Sequence, residues 1–193
     1  MINTLTVSQY YELCNHIDTS ELHNEIDNLP LPVIFQEKET PKNIDDFQFR
    51  KILELRSIDW DSNYDCILKI IPVYLDKQID VENLLICECL PIAKFIVTEI
   101  ERINKRENEK LSQKTTSEER AAGIDKLKQL GDFMLIDSIA KRMHISHDDV
   151  LNLPYLLIFM MQWKDKELSD FKDRLNNIMQ KQNERKNRNP KHN

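Results

Sequence analysis

Apolar residues recur three and four positions apart through most of the chain, and the breaks between these runs are made by Pro, Asn and Asp rather than Gly. That spacing predicts short helices over Val7 to Ile17 and over Glu21 to Leu29, the second stopped by "LPLP". The next stretch, "LPVIFQEKETP", is the least helical, with Val33, Ile34 and Phe35 extended between prolines; it gives at most one short strand region, near residues 31 to 36. Asp45 stands where it would cap a helix over "DFQFRKILEL", and another helix is expected from Asp61 to Tyr74, with Pro72 at its end. Val81 to Leu90 predicts a further one. Pro91 then opens a long helix striped by Ile92, Phe95, Ile96, Ile100 and Ile103.

The stripe fades after Ile103, and residues 101 to 120, "ERINKRENEKLSQKTTSEER", are almost wholly polar, which marks a solvated helix end and a linker. Thr116 and Glu119 have the spacing of a capping box for a helix running through Ile124 and Leu127 to Leu130, where Gly131 ends it. Four short helices follow: Leu135 to Met143, Ser146 to Leu153, Pro154 to Trp163 and Leu168 to Lys181, with Pro154 either separating the middle two or only bending them. The closing "KQNERKNRNPKHN" has no apolar side chain and is expected to be disordered. The fold class is therefore mostly all-α. Two small helical modules, 1–111 and 112–179, are joined by a polar linker and followed by a disordered basic tail, 180–193. Ile139, Met143, Ile145, Val150, Leu153, Leu156, Leu157 and Phe159 are the expected core of the second module.

Composition narrows the function classes. Two glycines stand where average usage of ~7% would give roughly 13, so β-rich folds and their positive-φ turns are disfavoured. Gly123 and Gly131 lie too far apart for a phosphate-binding loop. Cys14, His16, Cys87 and Cys89 could be grouped as zinc ligands. Their one-residue spacing is poor for zinc, and reduced thiols are the expectation for these three cysteines and for Cys66. His144 and His147, with Asp148 beside them, straddle a turn and lack the glutamate of a zinc protease. No Ser or Cys sits in a nucleophile motif, so no enzyme, cofactor or metal is expected. "MINTLTVSQYYELCNH" lacks the layout of a secretory signal, and the most apolar run, Leu153 to Met161, is too short to span a bilayer. The expected location is a cell's cytoplasm, with no membrane partner.

The stretch "IDSIAKRMHISHDDVLNLPY", Ile136 to Tyr155, has helix-turn-helix packing, with Ile139, Ala140, Met143, Ile145, Val150 and Leu153 at the buried positions, His144 at the turn and Ser146 as cap. Its second helix opens on His147, Asp148 and Asp149, carboxylates that would repel a phosphate backbone. Whole-chain charge agrees. The tail Gln180 to Asn193 carries +4, from Lys181, Arg185, Lys186, Arg188 and Lys191 against Glu184, so the overall −6 leaves −10 on residues 1–179. Contact with nucleic acid is expected only through that tail.

The segment from Thr115 to Leu175, with its acidic opening helix and "AAGIDKL", then "GDF", "LIDSIAKRM", "HDDVLNLPY" and a charged terminal helix, resembles small helical proteins of tailed bacteriophages, particularly tail assembly chaperones. Upstream, "IDWDSNYDCILKIIPVYL" and the helix after Pro91 resemble the first module of such proteins more loosely. The resemblance implies a non-catalytic protein of the host cytoplasm that binds other phage structural proteins through apolar helical faces, and holds tail components such as the tape-measure protein until assembly. Alternatives are a virion component at the portal, neck or tail, and a helix-turn-helix-like transcriptional regulator. From the residues themselves, "LLIFMMQW" carries more apolar surface than one face of a short helix can bury. Leu157, Met160, Met161 and Trp163 are the candidate partner-binding residues, for another protein or a second copy of the chain.

Overall fold

The computed structural model describes residues 4–16, 28–58, 63–112 and 115–188. The chain is mostly all-α. Among the described residues nine α-helices are α1 (Val7–His16), α2 (Phe49–Arg56), α3 (Asn63–Leu75), α4 (Ile86–Leu111), α5 (Ser117–Ala121), α6 (Ile124–Lys128), α7 (Asp132–Met143), α8 (His147–Leu151) and α9 (Tyr155–Arg188). Of the helix expected over Glu21 to Leu29 only Asn28 and Leu29 are described, and they are not helical; the start expected at Asp61 falls outside the described residues. One small hairpin pairs β1 (Ile34–Phe35) with β2 (Lys38–Glu39), Ile34 opposite Glu39 and Phe35 opposite Lys38. Its two turn residues, Gln36 and Glu37, take φ of 49° and 67°. Positive φ at both positions makes the tight connection that glycine usually supplies, so scarce glycine did not prevent a hairpin. Buried Phe35 holds it down, and Lys38 Nζ donates to the Tyr74 carbonyl at 2.7 Å.

The core begins where α3 packs on α4. Ile67, Ile70, Ile71 and Tyr74 are buried there, as are Ile92, Ile96, Ile100 and Ile103 of the predicted stripe, while Phe95 sits half-buried. Val81–Asn83 forms only a 3-10 turn, and α4 starts at Ile86 rather than at Pro91. Pro91 therefore lies inside the helix, where it has no N–H to give the Cys87 carbonyl.

The starts of four helices share one device. α1, α2, α4 and α9 each open on a buried apolar residue: Val7, Phe49, Ile86 and Tyr155. The first N–H groups of a helix have no partner within it, and neither Gln48 nor Leu85, the residues preceding α2 and α4, supplies one from a side chain. Instead the starts satisfy each other in pairs. Val7 N–H donates to the Leu84 carbonyl at 2.9 Å and Ile86 N–H to the Leu5 carbonyl at 3.0 Å. Phe49 N–H donates to the Leu153 carbonyl at 2.8 Å, while Tyr155 N–H and Leu156 N–H reach the carbonyls of Phe47, at 2.8 Å, and Asp45, at 2.9 Å. Thr6 bridges Leu85 and Gln48 bridges Pro154 between them. The second pairing brings α9 against α2 and α4, so one hydrophobic cluster takes in Ile139, Val150, Tyr155, Ile158 and Phe159 together with the α3–α4 core.

Asp45 does not cap α2 as expected; α4 claims its side chain. Arg102 Nη2 donates to it at 2.9 Å, and Arg106 does so through Nη1 at 3.1 Å and Nη2 at 2.8 Å. Buried Glu99 accepts from Arg102 Nε at 2.9 Å and from Ile44 N–H at 3.1 Å. Arg106 also lies 4.5 Å from the Phe159 ring centre, and Tyr155 Oη donates to Glu107 at 2.8 Å. The polar stretch after residue 101, expected to be a solvated linker, therefore carries α4's ties to the 44–48 loop and α9.

Three expectations for the second half need correction. Gly123, at φ 86°, splits the helix expected over residues 117–130 into α5 and α6. The two helices expected after Pro154 are one, because the charged segment between them stays helical, with Lys166 Nζ bonded to Asp170 at 2.6 Å a turn away. That helix also continues to Arg188, where disorder was expected from residue 180; residues beyond it are outside the described set.

Burial works against the charge of Asp45, yet hydrogen bonds from Arg106 and Arg102 outweigh it and hold the carboxyl below its ordinary range. A folded-state pKa below the unfolded value of ~3.9 gives stability that is present above that pH and is lost as pH falls through the folded value. Asp45→Asn should cost about 2–3 kcal/mol at pH 7, as losing hydrogen bonds to a charged group does. Urea unfolding at pH 7 and pH 3 checks this: the variant should lose less stability on acidification than the wild type.

Candidate functional site

The helix-turn-helix-like region is built as its local residues dictate. α7 ends at His144 in the left-handed conformation, φ 56° and ψ 43°, and Ile145 N–H returns to the Ala140 carbonyl at 3.1 Å. Ser146 and Asp149 form a reciprocal capping box at the start of α8. Ile139, Ala140 and Val150 are buried, whereas Met143, Ile145 and Leu153 are half-buried. The acidic side chains all serve the fold. Asp148 pairs with Arg50 of α2, Asp149 is held below its ordinary pKa by the Ser146 hydroxyl, and Asp137 bonds Lys141 at 2.6 Å and His147 at 3.3 Å. α8 has five residues, too few to lie along a major groove, and it carries negative charge there.

Other chemistry finds no assembled site among the described residues. No group of three or more His, Cys, Asp or Glu side chains is placed to hold a metal ion. The four cysteines are not joined in disulfides, with Cys66 and Cys89 buried and Cys14 and Cys87 half-buried. Burial pushes the Cys89 thiol up to about 12, which keeps it a thiol rather than a thiolate nucleophile at neutral pH. A cleft of about 280 Å³ opens between α2, α4, α7 and α9; of its charged lining, Arg56 and Glu107 are paired to each other at 2.9 Å, and Asp132 is the third charged residue.

The unusual surface is on α9. At its start the helix buries Tyr155, Ile158 and Phe159 against α2 and α4. With about 100° of rotation per residue, Leu157 and Met160 fall on the opposite side, and they are 40% and 45% exposed. Leu156 and Leu157, expected in the core, are thus surface residues, because α9 meets the body on one side only. The outward face continues beyond the body through Leu168, Phe171, Leu175, Ile178 and Met179, all exposed; Phe171 and Ile178 are each 54% accessible. An apolar stripe therefore runs along a helix of 34 residues.

Of the four candidate residues, Leu157 and Met160 lie on this stripe and Met161 is half-buried at its edge. Trp163 belongs to the body side. Its ring stacks on Phe159 with centres 6.3 Å apart, Lys110 Nζ sits 5.4 Å from it, and Nε1 donates to Glu167 at 3.3 Å. The sequence reading missed Leu168 to Met179, whose signal was the uninterrupted four-and-three spacing across "KDKE". Leu127 of α6, Leu130 of the turn after it, and Phe133 and Met134 of α7 are exposed as well. No described helix is long and apolar enough to cross a membrane.

The two sides of α9 should respond oppositely to truncation. Phe159→Ala is expected to cost about 3–5 kcal/mol, as removal of a core aromatic does, and Leu157→Ala no more than about 0.5 kcal/mol. Chemical denaturation of both variants measures the contrast, and comparable losses would place the stripe in the core. No protein-family model matches the chain, and neither does any curated protein or solved structure.

Proposed function

We propose that the chain is a non-catalytic assembly protein that engages other proteins through the outward face of α9. The observation that carries this reading is the exposed series Leu157, Met160, Leu168, Phe171, Leu175 and Ile178 on a single helix. Contiguous exposed apolar surface of this kind marks interaction sites, and a helix with anchors three and four apart suits packing on a partner's helix or groove. The bacteriophage setting rests on the resemblance of residues 115 to 175 to tail assembly chaperones; on that reading the clients are tail components, the tape-measure protein foremost. Retention in the virion at the portal, neck or tail is the second form of the same binding function. Regulation by DNA binding is less well supported, since α8 is short and its carboxylates are bound into the fold.

Co-expression with the tape-measure protein of the same genome tests the reading. The wild-type chain should keep that protein soluble, and Leu168→Asp combined with Leu175→Asp should not, while remaining helical by circular dichroism. Full client solubility with the doubly charged variant would sink the proposal. Mass spectrometry of purified virions separates a chaperone, absent from the particle, from a structural component, present in it.

A further inference from the structure

The stripe on α9 has more order than exposed apolar residues require. Met161, Lys164, Leu168, Phe171, Leu175 and Ile178 alternate spacings of three and four, the repeat of a coiled-coil seam. The positions flanking that seam are Asp165 and Lys172 on one side, and Glu167 and Arg174 on the other. We propose that the occupant of this face is a second copy of the same helix, packed antiparallel about a point between Ser169 and Asp170. This rests on the reading of α9 as a protein-binding face and adds a second copy of the chain to the partners it takes.

Charge complementarity selects both the partner and its direction. In that register Leu168 faces Phe171 of the other copy, Leu175 faces the alkyl stem of Lys164, and Met161 faces Ile178, so six seam layers close over roughly 26 Å of helix at 1.5 Å per residue. The flanks then pair Glu167 with Arg174 twice and Asp165 with Lys172 twice, with no like charges opposed. A parallel pair would set Lys164 against Lys164 in the seam and leave only Glu167 with Lys172 as a complementary flank. Antiparallel packing also places the two bodies at opposite ends. The end of α9, net basic in sequence, then runs past Leu157 and Met160 toward the acidic body of the other copy. Two of the groups involved have contacts within their own chain. Asp165 is bonded by Arg142 at 2.9 Å and Glu167 accepts from Trp163, so the second copy's Lys172 and Arg174 would join carboxylates that already have one donor in their own chain.

Sedimentation of the full chain across a concentration series at low salt reads the equilibrium. The wild type should dimerise reversibly. Glu167→Lys, which reverses two flank pairs at once, should weaken the dimer by roughly ten- to thirtyfold, and Arg174→Glu should do the same. The two changes together should restore wild-type association, because they exchange the charges of an antiparallel pair. Rescue of Glu167→Lys by Lys172→Glu instead would overturn the antiparallel register, and a wild-type chain that stays monomeric throughout would overturn the second-copy proposal. In that last case, client solubility that still depends on Leu168 and Leu175 leaves the protein-binding reading standing, so the two failures are distinguishable. All three charged positions are at the solvent-facing surface of α9, and circular dichroism of each variant checks that the fold is kept.

Discussion

Backbone hydrogen bonding at helix starts is the constraint on which this structure depends. A buried helix N-terminus must find acceptors for its first N–H groups or lose the free energy of those bonds. The chain does this at four starts by joining them in two pairs, α1 with α4 and α2 with α9. Each pairing needs an extended residue just before the helix and a buried apolar residue at its first position. Thr6–Val7, Gln48–Phe49, Leu85–Ile86 and Pro154–Tyr155 meet both needs. Pro154 is well suited to this role, since the bridging bonds are made by its neighbours, the Leu153 carbonyl and the Tyr155 N–H, and its fixed φ favours the extended approach.

The charges near that junction follow from the same arrangement. Once the 44–48 loop is drawn between α4 and α9, Ile44 is buried and Asp45 largely so, and both need polar partners. α4 offers Glu99, Arg102 and Arg106 on successive turns, while Glu107 receives the Tyr155 hydroxyl and Arg56. Acceptors and donors are matched within one small region, so Asp45 keeps its charge despite its partial burial. Arg106 spans both sorts of contact, bonding Asp45 and lying over the Phe159 ring. α9 is thereby gripped by its first turns alone, which leaves its remaining length free to meet something else.

What could be read from the chain alone was what is decided within a few residues. The Ile92 to Ile103 stripe, the box at Thr116, the cap at Ser146, the turn at His144 and the break at Gly131 are each specified by neighbours a few positions away. The starts of α2, α4 and α9 were misplaced or incompletely explained because the acceptors that fix them lie far along the chain. Asp45 had the local look of a cap, yet stronger donors on α4 took its carboxylate. Gln36 and Glu37 turned a hairpin without glycine because Phe35 and Lys38 are anchored on the core. The candidate face was half legible: excess apolar content pointed to Leu157 and Met160, but "KDKE" was taken as a break, which hid Leu168 to Met179. The place of Trp163 on the body side was not legible because its contact with Lys110 is tertiary, although its stacking on Phe159 is an i,i+4 contact within α9.

The two pairings of helix starts interleave along the chain, since the α2 partner at Leu153 comes after both members of the α1–α4 pair. During synthesis, α1, α3 and α4 can assemble as soon as residue 111 has emerged, but the first N–H of α2 has no acceptor and the 44–48 loop no cover until Leu153 and Tyr155 follow. Native folding is therefore completed late and over a long sequence separation, which is kinetically costly. A nascent chain halted before α9 exposes Phe49 and the Asp45 side of α4, and arrival of α9 is the step that closes it. Fusions or tags at the far end of α9 should be tolerated by this step, whereas insertions near Pro154 would interrupt it.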